Sequence, residues 1–130
     1  MDTKTLVTED IEAGAEFLRR LDAYRPVKVA CWLRVDDDRL RYLTVALEGL
    51  TTENSRVAYH EVLRITQEMK DHYIDPFRVD LIGTDDPIAK SVMEIYKRYP
   101  GPMPTRFDGQ IIGRTEVAEA YLYTKFAPKA

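Results

Sequence analysis

Two sets of side chains in this 130-residue chain are of types that could act on a ligand. The first is carboxylate-rich: Glu48, Asp85, Asp86 and Asp108, with Lys28 and Glu116, all of which the inferred topology brings to one edge of a sheet. Several carboxylates can hold Mg²⁺ and activate a water, and a lysine can stabilise the negative charge that develops. On that reading Glu48, Asp85 and Asp86 are the metal ligands of a divalent-metal hydrolase or nuclease-like enzyme. The same residues have ordinary roles: Asp85 and Asp86 can cap a helix, and Asp108-Gly109 can form a turn. The second set is aromatic and polar: Trp32, Arg34, Tyr42, Tyr121 and Tyr123. Aromatic rings with an arginine are enriched in binding patches, because they bury much area for little lost entropy. Their ordinary role is a second core layer, with the first helix covering them.

Other chemistry finds little support. His60 and His72 are the two histidines. On one helix they would stand about 120° apart around the axis and about 18 Å apart along it, too far to share a metal. His72, in the last turn of that helix, meets the negative end of the dipole. Ser55 lies five positions before His60 and makes no triad with it. Gly49, Gly83, Gly101, Gly109 and Gly113 are scattered and form no phosphate-cradling pattern. Glu68-Met69-Lys70 has the spacing of a nuclease E-x-K, but it falls in a helix where a strand is needed.

Composition narrows the class further. Hydrophobic residues make up 45% and charged residues 32%, which suits one globular domain over residues 1–130 with a charged surface. A net charge of −3 disfavours a phosphate backbone as main partner. No apolar tract is long enough to span a bilayer, and the first residues lack a signal-like pattern, so no membrane association is expected. Cys31 is the sole cysteine, sits among apolar neighbours and reads as an inert core thiol in a reducing cytoplasm. The leading functional expectation is a non-enzymatic binding or assembly module without a cofactor. It would use the face around Trp32 and Tyr42, or the edge of the last strand, to hold a protein partner or a second copy of itself.

The elements that must position these residues follow from periodicity. Thr8-Glu9-Asp10 opens a helix with a stripe at Ile11, Ala15, Leu18 and Leu21, widened by Phe17 and Tyr24, and Pro26 closes it. Val27 to Val35 alternates apolar and other residues over nine positions, and Arg41 to Leu47 supplies a second arm after a polar turn at Asp36-Asp37-Asp38-Arg39. Helix 2 runs to about Tyr73 with Ala58, Val62, Ile65 and Met69 on its stripe. Phe77, Val79 and Leu81 make a third strand, and Asp86-Pro87 starts a helix with Ile88, Val92, Ile95 and Tyr99 inward. A short strand near Thr105 to Asp108, a connection carrying Ile111 and Ile112, and a strand from Val117 to Phe126 complete the chain. The tail from Ala127 is expected to fray.

The fold expectation is a single-domain α+β architecture with helices packed on a mixed, roughly five-stranded sheet, in the order α-β-β-α-β-α-β-β. Strands 2, 3 and 4 should be parallel to one another, with strands 1 and 5 antiparallel to them. A hairpin loop from Asp37 to Arg39 puts Val29, Cys31 and Leu33 on one face with Val45 and Leu47, under helices 2 and 3. Lys28, Trp32 and Arg34 then share the second face with Tyr42, Thr44 and Glu48. A slip of one residue would exchange these faces.

Overall fold

The structure, a computed structural model, describes residues 8–35, 41–98, 105–112 and 115–123. Helix α1 spans Thr8–Tyr24, strand β1 Val27–Val35, strand β2 Tyr42–Leu47, and helix α2 Ser55–Met69. A short 3₁₀ turn, Pro76–Arg78, leads into strand β3, Val79–Gly83. Helix α3 spans Pro87–Arg98, and strands β4, Thr105–Ile112, and β5, Thr115–Leu122, follow. The class is α+β with three helices on a mixed sheet, whose strand order is β3-β2-β1-β5-β4. No helix among the described residues is long and apolar enough to cross a membrane.

Local chemistry sets several boundaries. The Asp22 carboxylate accepts from the Val27 amide at 2.8 Å as the chain leaves α1. Helix α2 stops at Met69, short of the expected Tyr73, because Lys70 turns into the left-handed region (φ 54°) and donates its N–H to Thr66 O. His72 therefore lies beyond the helix, stacked at 4.4 Å on Tyr73. Before α2, Thr51 and Asn54 bond reciprocally: the Thr51 amide donates to Asn54 Oδ1 at 2.7 Å, and the Asn54 amide donates to Thr51 Oγ1 at 3.2 Å. The expected start of α3 is present, with Asp86 Oδ1 accepting from the Ile88 amide at 2.9 Å and Pro87 as first helical residue. Phe77 belongs to the 3₁₀ turn, not to a strand, and is 83% exposed. Gly109 to Ile112, expected as a connection, belongs to β4. The Asp37–Arg39 turn, Tyr99 and the tail from Ala127 lie outside the described residues.

Strand pairing corrects two expectations. The hairpin register is slipped by one from the expected one: Leu33 pairs with Tyr42, Trp32 with Leu43, Cys31 with Thr44 and Ala30 with Val45. Val45 and Leu47 therefore share a face with Trp32, and not with Leu33. An irregularity between Val27 and Val29 shifts the register by one, so Val27 pairs with Leu47 and joins that face too. Strand direction also differs. β4 is antiparallel to β5, which is antiparallel to β1, so β4 runs with β1 while β2, β3 and β5 run the other way.

The sheet is covered on both sides. On one face Val27, Ala30, Trp32, Leu43, Val45, Leu47, Val79 and Leu81 pack with Phe17, Leu18 and Leu21 of α1 and with Ala58, Val62 and Ile65 of α2. On the other, Val29, Cys31, Leu33, Ala46, Ala120 and Leu122 pack with Ala89, Val92 and Tyr96 of α3. The expectation that helices 2 and 3 share one face is thus overturned: α2 and α3 lie on opposite faces. Burial on both faces of β1 is the physical reason. A central strand needs apolar residues at successive positions, so its alternation no longer marks a single inside.

Cys31 is fully buried, and burial pushes its thiol up from 9.0 to about 12. Burial raises the Tyr96 and Tyr123 hydroxyls as well. A thiol whose pKa is higher folded than unfolded contributes stability that is whole below about pH 9.0 and is lost as pH climbs toward about 12. The expected melting temperature is insensitive to Cys31 up to about pH 9.0 and falls above it. A Cys31→Ala variant should show a shallower alkaline fall, and iodoacetamide should label the wild type only under unfolding conditions. Rapid labelling of native protein at neutral pH would contradict this placement.

Candidate functional site

The aromatic set does not form an open platform. Trp32 is 6% exposed and Tyr123 4%, both beneath α1. Trp32 Nε1 donates to the Tyr123 hydroxyl at 2.9 Å, and that hydroxyl donates to Ile11 O at 2.7 Å, tying the layer to the first turn of α1. Gly14 makes this approach possible: a Cβ there would stand 3.1 Å from Trp32 Nε1 and closer still to the Tyr123 hydroxyl. Tyr121 packs edge-on against Tyr123 with centroids 5.2 Å apart and stays half-buried. Tyr42, paired with Leu33, lies on the opposite face. Of the five residues predicted to bind, Trp32, Arg34, Tyr121 and Tyr123 thus share a face, and Arg34 and Tyr121 keep a partly solvent-reaching surface.

Beyond Trp32 that face turns polar. Arg34 pairs with Glu119 across β1 and β5, and the hairpin register continued by one places Arg41 opposite Arg34. Glu119 reaches over β1 to Arg41, whose Nε donates to Glu119 Oε1 at 2.6 Å. Arg34 Nε lies 4.0 Å from the same oxygen. All three side chains are largely buried, at 14% to 25% exposure.

The carboxylate set divides between the two ends of the sheet. β1 begins where β2 and β3 end, so Lys28, Glu48, Asp85 and Asp86 are near one end, and Lys28 Nζ pairs with Glu48 Oε1 at 3.2 Å. That exposed pair contributes about 0–1 kcal/mol. Asp86 spends one carboxylate oxygen on the α3 cap, and Asp85 Oδ1 lies over Gly83. Asp108 is paired with Glu119, and Glu116 with Ile111, in the half of the sheet that holds Arg34 and Val35. Reversal of β4 relative to expectation sends Asp108 to that other end, and reversal of β5, which runs with β2 and β3, sends Glu116 there. Among the described residues no three His, Cys, Asp or Glu side chains gather to hold a metal ion.

An open groove of about 420 Å³, not expected from the sequence, separates the first half of α1 from the turn after α2. Glu9, Glu12, Glu16, Asp71, His72 and Tyr73 are among its lining residues. The three glutamates at helical spacing are the sequence signal that could have found it. Glu16 is committed to Arg19 and Arg20, and its bond to Arg20 is the main reason its carboxyl sits below the usual range.

The two edges of the sheet differ. At β3 the outward Leu81 amide donates to the Tyr59 hydroxyl at 2.9 Å, so α2 reaches round to close that edge. Partial burial pushes the Tyr59 hydroxyl up, and desolvation followed by the charge of Asp86 pushes the Asp80 carboxyl up; the Tyr59 hydroxyl opposes the latter by hydrogen bonding to it. At the far side β4 pairs with β5 along Thr105–Ile112 in unbroken register, and among the described residues no strand pairs with its outer edge. The last strand, expected as the free edge, is internal between β1 and β4. No family model, no curated protein and no solved structure matches the chain.

Proposed function

We propose that the chain is a non-enzymatic assembly module that binds a second copy of itself through the outer edge of β4. The contrast between the two edges carries this reading. A strand edge is a row of backbone donors and acceptors, and proteins that stay monomeric cover it or break it. The β3 edge is short and its Leu81 amide is satisfied by Tyr59. The β4 edge is eight residues long and regular in its pairing with β5. Two such edges meeting antiparallel about a two-fold axis make a closed, self-complementary interface, which limits growth to a dimer. The buried Trp32 layer supports the same choice, because it removes the competing open face.

Sedimentation equilibrium over a range of concentrations should give a monomer–dimer equilibrium. Hydrogen exchange at low and high concentration should show added protection at alternate amides of β4, those directed away from β5, with β3 unchanged. A monomer mass at every concentration would overturn the proposal. So would a dimer in which β4 exchange is independent of concentration.

A further inference from the structure

Three backbone groups at alternate residues of β3 find partners off the sheet. The Val79 amide donates to Pro76 O, the Leu81 amide donates to the Tyr59 hydroxyl at 2.9 Å, and Gly83 O accepts from the Asp86 amide at 3.2 Å. The first and last of these are turns of the chain next to the strand. Of the three, the middle one alone is supplied by a side chain, and it can be withdrawn without unmaking a turn. A tyrosine hydroxyl that accepts one bond still has a proton to donate. Asp80, exposed on the same edge, is its acceptor, and that bond lowers the Asp80 carboxyl while desolvation, first, and then the charge of Asp86 raise it to a net position above its ordinary 3.8. The groups around Asp80 are few: Asp86 from the cap of α3, Tyr59 from α2, the uncharged Thr44 opposite it on β2, and Arg78 in the 3₁₀ turn, which pairs with Asp75 at 3.8 Å. A carboxyl raised in the folded state contributes stability that is whole below about pH 3.8 and is lost as pH climbs through the folded pKa. Above that pH the fold keeps a charge that weakens it, and what the charge secures is the hydroxyl of Tyr59.

We propose that Tyr59 and Asp80 form an acid-released latch on β3: ionised Asp80 holds the Tyr59 hydroxyl over the Leu81 amide, and protonated Asp80 lets it go, freeing β3 to pair with β3 of a second copy. A bond to an ionised carboxylate is roughly twice as strong as one between neutral groups. The new acid O–H is also a donor, which competes with the Leu81 amide for the Tyr59 oxygen. Phe77, exposed at the head of the strand, gives the joined edges apolar surface to bury. The latch lies on the edge opposite β4 and works with or without pairing there. With β4 paired, release joins closed dimers into an open chain; without it, release gives a β3-linked dimer.

Exchange of the Leu81 amide reads the latch on the dilute full chain, corrected for the intrinsic rate at each pH and referred to the central amides of β1, so that global unfolding is read separately. The carbon shift of the Asp80 carboxyl reads its titration. Protection of Leu81 should fall about tenfold as Asp80 takes up its proton, the difference between a charge-assisted bond and a neutral one. Asp86→Asn should move that fall to lower pH, because it removes a charge that raises Asp80 and leaves an oxygen for the α3 cap. A purely structural Tyr59 would give no such movement. Asp80→Asn should show the low protection at every pH. At neutral pH and rising concentration, Tyr59→Phe should regain Leu81 protection and sediment as a heavier species than wild type, with its melting temperature reporting that it is folded. Protection in wild type that is unchanged across the titration of Asp80 would overturn the latch. So would wild-type protection in Asp80→Asn, or a folded Tyr59→Phe with the mass of wild type at every concentration.

Discussion

Replacing Trp32 with alanine is expected to cost about 3–5 kcal/mol, the range for removing a large aromatic side chain from a packed interior. Trp32 is 6% exposed among Ala13, Phe17 and Tyr123, and its Nε1 supplies a hydrogen bond to the Tyr123 hydroxyl at 2.9 Å. The substitution removes apolar area, leaves a cavity beneath α1 and takes one donor from Tyr123. Trp32→Phe keeps most of the area and should lose about 1 kcal/mol for the hydrogen bond, plus whatever the smaller ring fails to fill. Denaturant melts give the difference directly. Because Trp32 is the sole tryptophan, its emission should be blue-shifted in the native protein and move red on unfolding. A native emission like that of free tryptophan, or a loss under about 1 kcal/mol for Trp32→Ala, would mean that α1 does not lie over this face.

Leu33→Ala is expected to cost about 2–5 kcal/mol through lost transfer energy and a cavity. The magnitude is the one expected from the hydrophobic pattern, but the layer that loses it is different: Leu33 packs in the layer of Val92 and Tyr96, under α3. A double-mutant comparison separates the two arrangements. Leu33→Ala combined with Val62→Ala joins residues on opposite faces of the sheet, and their costs should add within about 0.3–0.5 kcal/mol. Leu33→Ala combined with Val92→Ala lies within one layer and should depart from additivity by about 0.5–3 kcal/mol. Additivity in the second pair with coupling in the first would restore the register in which α2 covers Leu33.

Elements whose boundaries depend on local chemistry are legible in the amino-acid sequence. Asp86 with Pro87 marks the start of α3 because a carboxylate satisfies a free amide there and proline needs no donor, and both are found in those roles. Phe17, Leu18 and Leu21 recur at helical spacing and are all buried. Lys70 gives no warning that it ends α2, since a left-handed lysine carries no sequence mark of the kind glycine does. Arg41 is not marked as a neighbour of Arg34, because the two meet only in the slipped hairpin register. The Tyr59 bond to Leu81 is equally hidden, since it links residues 22 positions apart through a strand edge that only the sheet order defines.

From residue order alone come the α+β class, the three helices, the hairpin and the burial of Cys31, because each follows from periodicity, capping or side-chain polarity within a short stretch. Packing in three dimensions set which face each helix covers, the direction of β4, and with them the fate of both candidate sites. In β1, Val29, Cys31 and Leu33 are apolar, but Ala30 and Trp32 between them are buried too, under different helices. A strand wanted by two cores looks half-buried from either, and its register is then set by packing across the sheet, where Trp32 finds Tyr123 some 91 positions away. Carboxylates placed on a common edge by strand direction alone were separated once β4 ran with β1, since a reversed strand carries its residues to the other end.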